Sequence, residues 1–244
     1  MRVALIADMH GNALGLEAVL AELAREPVDE IVALGDVAQG GPQPAEVVDR
    51  LRALGCRCVF GNSDEFLLTL GVDTTGEDVE GEERERLLRR GEWSQAQLGE
   101  EGLAFLRRFE PVVELDVDGQ RVVCCHATPE SNTEVVLPDA THDRVAALVG
   151  AADAVVAGHV HLQWLRRVGG AFWACAGSAG LAYQHSEPLD EQPFEPWAEY
   201  AIVGGSPLRI EFRRVPFASS EVVRAIRDSG IPDAELAAAQ WRPM

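Results

Sequence analysis

The stretch RVALIADMHGNALGLEAVLAELAREPVDEIVALGD (residues 2–36) decides the fold class of this 244-residue chain. RVALIAD (2–8) is an apolar run of strand length that closes on a carboxylate. The segment after it carries Leu14, Leu16, Val19, Leu20 and Leu23 at helical spacing, and EIVALGD (30–36) is a second buried-strand pattern, again closed by an acid. PAEVVDRLRALG (44–55) repeats the helix, with Pro44 near its start and Gly55 at its end. CRCVFG (56–61) is a third short strand. Strands alternating with helices imply parallel βαβ units and an α/β fold.

Downstream the pattern changes twice. Residues 63–110 are rich in Glu, Arg and Leu, hold no convincing strand, and predict a helical insertion over or beside the sheet, spanning about 66–110. From 111 strands return: VVELDV and QRVVCCH flank Asp118-Gly119, a strong hairpin signal. A helix is expected at about 141–150, then strands in DAVVAGH (153–159) and AFWACAGS (171–178). AEYAIV and LRIEFRRV, joined by Gly204-Gly205-Ser206-Pro207, form a further pair, and the Ser-capped end reads as one or two helices. No long linker divides the chain, and one domain over 1–244 is expected.

Composition excludes several classes of function. The net charge is −19, and all 21 basic residues are Arg. Such an acidic chain repels a polyanion, so duplex nucleic acid is a poor partner. The basic clusters at 84–90, 107–108, 166–167 and 213–214 sit among acids or on alternating strand positions, as solvated faces do. No apolar run is long enough for a membrane span. Five Cys, none spaced CxxC and several in apolar stretches, suit a reducing cytoplasm.

The informative polar residues lie where strands end. Asp8 and His10 follow the first, Asp36 the second and Asn62 the third, while His126 ends VVCC, and His159 and His161 end AVVAG. In an open α/β sheet the carboxyl ends of the strands form one rim, where ligands bind. Any one such residue is more often a cap or turn group. Joint placement changes that reading, because four of the six His fall at strand ends. Carboxylates, imidazoles and one amide, without thiolate, suit Mn, Fe, Zn, Co or Ni. Seven ligands exceed one ion's needs, so two ions about 3.5–4 Å apart are expected, bridged by a carboxylate.

Asp8-Met9-His10, Gly35-Asp36, Gly61-Asn62-Ser63-Asp64, His126 and Gly158-His159-Val160-His161 resemble, in order and spacing, the motifs of the calcineurin-like metallophosphoesterase superfamily. Asp8-Met9-His10-Gly11-Asn12, the Gly35 to Pro42 tract with the helix after it, and Ala176-Gly177-Ser178-Ala179-Gly180 resemble its bacterial branch of small phosphodiesterase-like proteins. The resemblance implies a four-layer αββα sandwich. It implies Asp8, His10 and His161 on a first metal, Asn62, His126 and His159 on a second, and Asp36 between them, with Asp36, Asn62 and His126 central to catalysis. Manganese is the favoured ion, and a water held between the two ions would be the nucleophile that opens a phosphate ester.

One departure matters. Many members carry His after the Asn as proton donor to the leaving group, and here Ser63 stands there. Losing a general acid typically costs about 10²–10⁴ in rate, so substrates with good leaving groups are expected. His185 is a candidate replacement donor. Asn12 is a candidate contact to the substrate phosphate, or a turn residue. The expected activity is a dinuclear phosphodiesterase; the alternative is a catalytically impaired binding or scaffold module of the same fold. The partner is a small phosphate ester, with nucleotides among the candidates. Its pocket would be built from residues 66–110, 128–142 and 181–198, including Tyr183, Phe194 and Trp197, whose aromatic rings could stack on a base but more commonly serve core packing or a homo-oligomer contact.

Overall fold

The computed structural model describes residues 1–75, 79–183 and 193–242. In chain order the elements are β1 (Arg2–Ile6), α1 (Ala13–Leu23), β2 (Glu30–Ala33), α2 (Pro44–Leu54), β3 (Arg57–Cys58), α3 (Asn62–Thr69), a 3₁₀ turn (Val72–Thr75) and α4 (Gly81–Leu106). They continue as β4 (Val112–Val117), β5 (Gln120–Cys125), α5 (His142–Val149), β6 (Ala154–Ala157), β7 (Gln163–Val168), β8 (Ala171–Ala176), β9 (Trp197–Gly204), β10 (Arg209–Pro216), α6 (Ser219–Ser229) and α7 (Ala234–Ala239).

The strands form two five-stranded mixed sheets, ordered β10-β9-β1-β2-β3 and β4-β5-β6-β8-β7. β1, β2 and β3 run parallel, and β9 and β10 extend that sheet antiparallel. In the second sheet β5, β6 and β8 run parallel, flanked by antiparallel β4 and β7. The continuous apolar runs of β1, β2 and β6 follow from this stacking, because a strand covered on both faces has no polar side to present.

Three apolar layers result. Val3, Leu5 and Val32 of the first sheet meet Val113, Val122, Val156 and Ala174 of the second between the sheets. Ala4 and Ile6, on the opposite face, pack against Leu16 and Val19 of α1 and Val47, Val48 and Leu51 of α2. Val155 and Trp173 pack outward against Val145, Leu148 and Val149 of α5. The order is therefore αββα.

Local chemistry sets the ends of these elements. Asn12 caps α1 by accepting from Gly15 N–H, and Gly55 ends α2 in the left-handed conformation. Asp118 and Gly119, with φ of 55° and 83°, make the tight hairpin between β4 and β5. The helical region begins at Asn62 rather than 66, because the Asp64 carboxylate caps α3 by accepting from Gly61 N–H. α4 is broken at Gly99 (φ 59°, ψ −175°), and Phe66, Leu67, Leu98 and Leu106 join the layer that holds α1 and α2. β7, in HLQWLRRVGG, was not expected as a strand. Its polar and apolar residues alternate irregularly because it forms the edge of its sheet, with Leu165 left exposed.

Candidate metal centre

Seven residues named from strand ends converge at one rim. Asp8 and His10 lie just past β1, Asp36 past β2, and Asn62 past β3 at the start of α3. His126 lies past β5, and His159 and His161 past β6. Among the described residues eight non-glycine residues have positive φ, and five of them are Asp8, His10, Asp36, His159 and His161. Each such conformation costs on the order of 1–3 kcal/mol and persists only where the surroundings impose it. The fold therefore spends stability to aim these side chains. Backbone crowding contributes: a Cβ on Gly61 would lie 2.2 Å from Asp36 Oδ1, and one on Gly180 would lie 2.0 Å from Met9 O. Only glycine fits at either place.

The imidazoles are oriented by carbonyl oxygens. Nδ1 of His10, His126 and His161 lies 2.8, 2.8 and 2.9 Å from the carbonyl oxygens of Gln39, Leu34 and Leu181. That contact places a proton on Nδ1 and turns Nε2 toward the centre, where it is the nitrogen a metal would take once free of its proton. His159 is reversed, with Nε2 at 3.2 Å from Thr133 O, which leaves its Nδ1.

The spacing fits a cation. His10 Nε2 and His161 Nε2 stand 3.1 Å apart. Two lone pairs at that range repel, yet two nitrogens on one tetrahedral ion are separated by roughly 3.3 Å. Asp8 Oδ1 is buried without a hydrogen-bond partner, 3.5 Å from His161 Nε2, while Asp8 Oδ2 accepts from His159 N–H. An orphaned buried carboxylate oxygen is costly, and a metal ion would resolve that cost. On the other side Asp36 Oδ1 is 3.4 Å from His126 Nε2, which lies 2.8 Å from Asn62 Oδ1. Asp36 Oδ2 is 3.5 Å from His10 Nε2. Asp8-His10-His161 and Asp8-Asp36-His126 each bring their ligand atoms within 4.8 Å of one another. Asp36 touches imidazoles of both groups.

Electrostatics follow the same geometry. Burial opposes ionisation of Asp36, but His126, His10 and His159 hold its carboxyl well below the usual range. Burial also works against charging His126, and the Asp36 and Asp8 carboxylates overcome it, raising His126 to about 10. Burial lowers His159 to about 4 and lowers His10. Negative charge at Asp8 and Asp36 thus demands a positive partner, which a proton on His126 supplies in part and divalent ions would supply fully.

Ser63 and Asp64 both hold Asp36, Ser63 from the wall of the cleft and Asp64 from behind it. Ser63 N–H and Oγ donate to Asp36 Oδ1 and Oδ2, each at 2.8 Å. Asp64 accepts from the N–H groups of Asp36, Val37 and Gly61 at 2.9–3.0 Å. Burial and the Asp36 charge still lift Asp64 to about 7. Asn12 has both polar atoms engaged, accepting from Gly15 N–H and donating to Gly180 O, so the structure displays its turn role. His185 lies outside the described residues.

The centre opens into a cleft of 840 Å³ lined by His10, Asp36, Asn62, His159 and His161 at one end. Beyond them lie residues of the helical region, including Phe66, Leu87 and Arg90, with Val135 and Leu137, and then Tyr183, Phe194 and Trp241. Trp197, expected in this wall, instead lies under the Arg214 guanidinium, 4.5 Å from its ring centroid. Arg90 and Trp241 were missed. No spacing rule connects a helix Arg or a C-terminal Trp to a site assembled from strand ends.

A calcineurin-like phosphoesterase superfamily domain matches residues 1–189. The chain belongs to that superfamily. Its sequence is similar to the uncharacterized protein MJ0912 of Methanocaldococcus jannaschii, 27% identical over 169 residues that cover 67% of this chain and 63% of that one. The match thus spans less than two thirds of the curated relative's length. The fold is similar to that of a metallophosphoesterase from Sphaerobacter thermophilus, with 24% identity, 98% of each chain covered and a TM-score of 0.75. It is also similar to that of the hypothetical protein PH1004 from Pyrococcus horikoshii OT3, with 19% identity, 100% and 98% coverage and a TM-score of 0.80.

Proposed function

We propose that the chain is a dinuclear metal-dependent phosphodiesterase, with the whole of 1–244 acting as one domain. Asp8, His10 and His161 would hold one ion, Asn62, His126 and His159 the other, and Asp36 would bridge. Mn is favoured among Mn, Fe, Zn, Ni and Co for this set of hard and borderline donors. Such a pair supplies a water-derived nucleophile at neutral pH and a clamp on the phosphoryl oxygens. The observation that carries the reading is the buried, unpartnered Asp8 Oδ1 beside two Nε2 atoms that face each other at 3.1 Å.

The chain's own residues have defined tasks in this reading. Carbonyls of Gln39, Leu34 and Leu181 fix the imidazole tautomers, so each ring enters the reaction already oriented. Ser63 fixes both oxygens of Asp36 and leaves each a second lone pair. With its hydroxyl on Asp36, Ser63 is not a donor to the leaving group. Among the described residues no imidazole beyond the four candidate ligands lines the cleft. A leaving group able to depart as its anion suits this arrangement, which favours diesters of acidic alcohols. The same feature supports the second reading, a catalytically impaired binding module.

Hydrolysis of bis-p-nitrophenyl phosphate and p-nitrophenyl phosphate with added Mn²⁺ separates the two readings. Turnover, faster on the diester, is expected. No turnover of either, with both metals shown bound by elemental analysis, overturns the catalytic reading.

A further inference from the structure

The cleft is far larger than a phosphoryl group requires. Ligand clefts of about 300–1,000 Å³ take drug-sized molecules, and this one measures 840 Å³. Away from the candidate metal ligands its lining includes Phe66, Val79, Leu87, Val135, Leu137 and Ile226, apolar surface that suits the organic part of the ester.

An unbroken line of rings starts at the metal centre itself. Tyr183 stacks on His161, with centroids 5.6 Å apart and planes 22° apart. Phe194 follows at 5.4 Å from Tyr183, and Trp241 at 5.5 Å from Phe194. All four line the cleft. Their backbone is tied down: Phe194 N–H donates to Gln240 O, and Arg242 N–H donates to Phe194 O. Tyr183 and Phe194 are partly exposed, whereas Trp241 is buried behind them. Trp241 and Phe194 pack with Val222, Ile226 and Ala237 of the C-terminal helices, while Tyr183 and Phe194 keep surface open to the site. Rings already fixed in place lose little entropy when a further ring stacks on them.

We propose that Tyr183 and Phe194, backed by Trp241, form a subsite for a flat ring on the retained half of a phosphodiester, a nucleoside being the biological form of that chemistry. This rests on the phosphodiesterase reading and adds its substrate class. In the reaction a water oxygen bonds to phosphorus, its proton passes to solvent, and the P–O bond to the leaving alcohol breaks. The alcohol departs with the bonding electrons, and the nucleoside stays on the phosphate.

Two esters with the same leaving group and the same single charge test it: p-nitrophenyl thymidine 5′-phosphate and ethyl p-nitrophenyl phosphate, hydrolysed by the Mn²⁺-loaded chain. The thymidine ester is expected to show a kcat/KM about 10-fold or more higher, the scale of one base stacked on an aromatic side chain. Equal values for the two esters overturn the subsite. Tyr183→Phe should keep the ratio, while Tyr183→Leu and Phe194→Leu should bring it towards one; because a ratio is read, a loss of metal or of folded protein cancels. Hydrolysis of neither ester would count against the phosphodiesterase reading alone. Calorimetry of thymidine 5′-monophosphate against ethyl phosphate on the same loaded protein then decides the subsite, with tighter nucleotide binding supporting it and equal binding overturning it.

Discussion

The two sheets are built alike and equipped differently. Each has three parallel strands joined to two further strands by antiparallel pairing, on one side in the first sheet and on both sides in the second, and each delivers its candidate ligands from strand ends. The first sheet contributes both carboxylates, the amide and one imidazole, Asp8, Asp36, Asn62 and His10. The second contributes only imidazoles, His126, His159 and His161. Negative charge is therefore concentrated on one side of the seam, held there by the N–H donors and hydroxyl of Ser63 and by the Asp64 clamp behind them. The other side presents lone pairs oriented by carbonyls and by no carboxylate of its own. Neither half is a metal site alone. A cation would complete both and tie one sheet's rim to the other's.

The largest break in this comparison comes from its charged centre. Asp36→Asn removes the bridging charge and should lower phosphodiesterase activity by about 10³-fold or more, as loss of a central catalytic group does. Elemental analysis of the variant should show fewer than two ions per chain, and unchanged activity would contradict the bridging role.

Removing the ions tests whether they tie the sheets together. A ligand bound only by the folded state at about 100 times its Kd contributes about 2.7 kcal/mol. For a chain of this size each kcal/mol moves Tm by about 2–4 °C. Chelation should therefore lower Tm by about 5–10 °C, reversed by Mn²⁺, in a thermal melt. Ser63→Ala is gentler. It frees one oxygen of Asp36 from its hydroxyl donor, and loss of such an outer partner should weaken metal binding by about 10–100-fold, read by competition with a chelating dye.

The smallest effect belongs to a second seam between the sheets. Glu199 of β9 is fully buried; its Oε1 accepts from Arg214 and Trp197 Nε1, and its Oε2 has no partner. Gly177, past β8, comes so close that an added Cβ would lie 2.2 Å from that oxygen. Burial raises the Glu199 carboxyl above its ordinary value despite the Arg214 guanidinium. A carboxyl raised in the folded state favours folding below the unfolded carboxylate range. That contribution is lost as pH climbs through the folded value. The stability of the native chain relative to Glu199→Gln should therefore fall as pH rises from 4.5, the ordinary glutamate value, towards neutrality. The change is about 1.4 kcal/mol for each tenfold rise in proton affinity, measured by urea denaturation of both proteins across that range.

Much of this was legible in the residues. The βαβ units, the Asp118-Gly119 hairpin and the paired strands at the end are all local patterns, and periodicity exposes them. Convergence of the seven strand-end residues was legible too, because parallel strands put their carboxyl ends on one rim whatever the packing in detail. β7 escaped because an edge strand with polar residues on both faces carries no clean alternation. For Asn12 the sequence left a substrate contact and a turn role both open, and for Ser63 it showed only that the usual proton donor is replaced; hydrogen bonds place the first in a turn and the second on Asp36.

The sequence by itself determined the αββα class, the superfamily and the set of candidate ligands, because spacing along the chain encodes which side chains leave a strand at the same end. Tertiary structure alone decided what surrounds them. Helix α4 brings Arg90, and the C-terminal segment brings Trp241, to a site many residues away in sequence. Only the folded chain shows Asp8 Oδ1 buried without a partner and Ser63 bound to Asp36. Those contacts join residues remote in sequence, and no local pattern records them; they exist only once the two sheets have closed on each other.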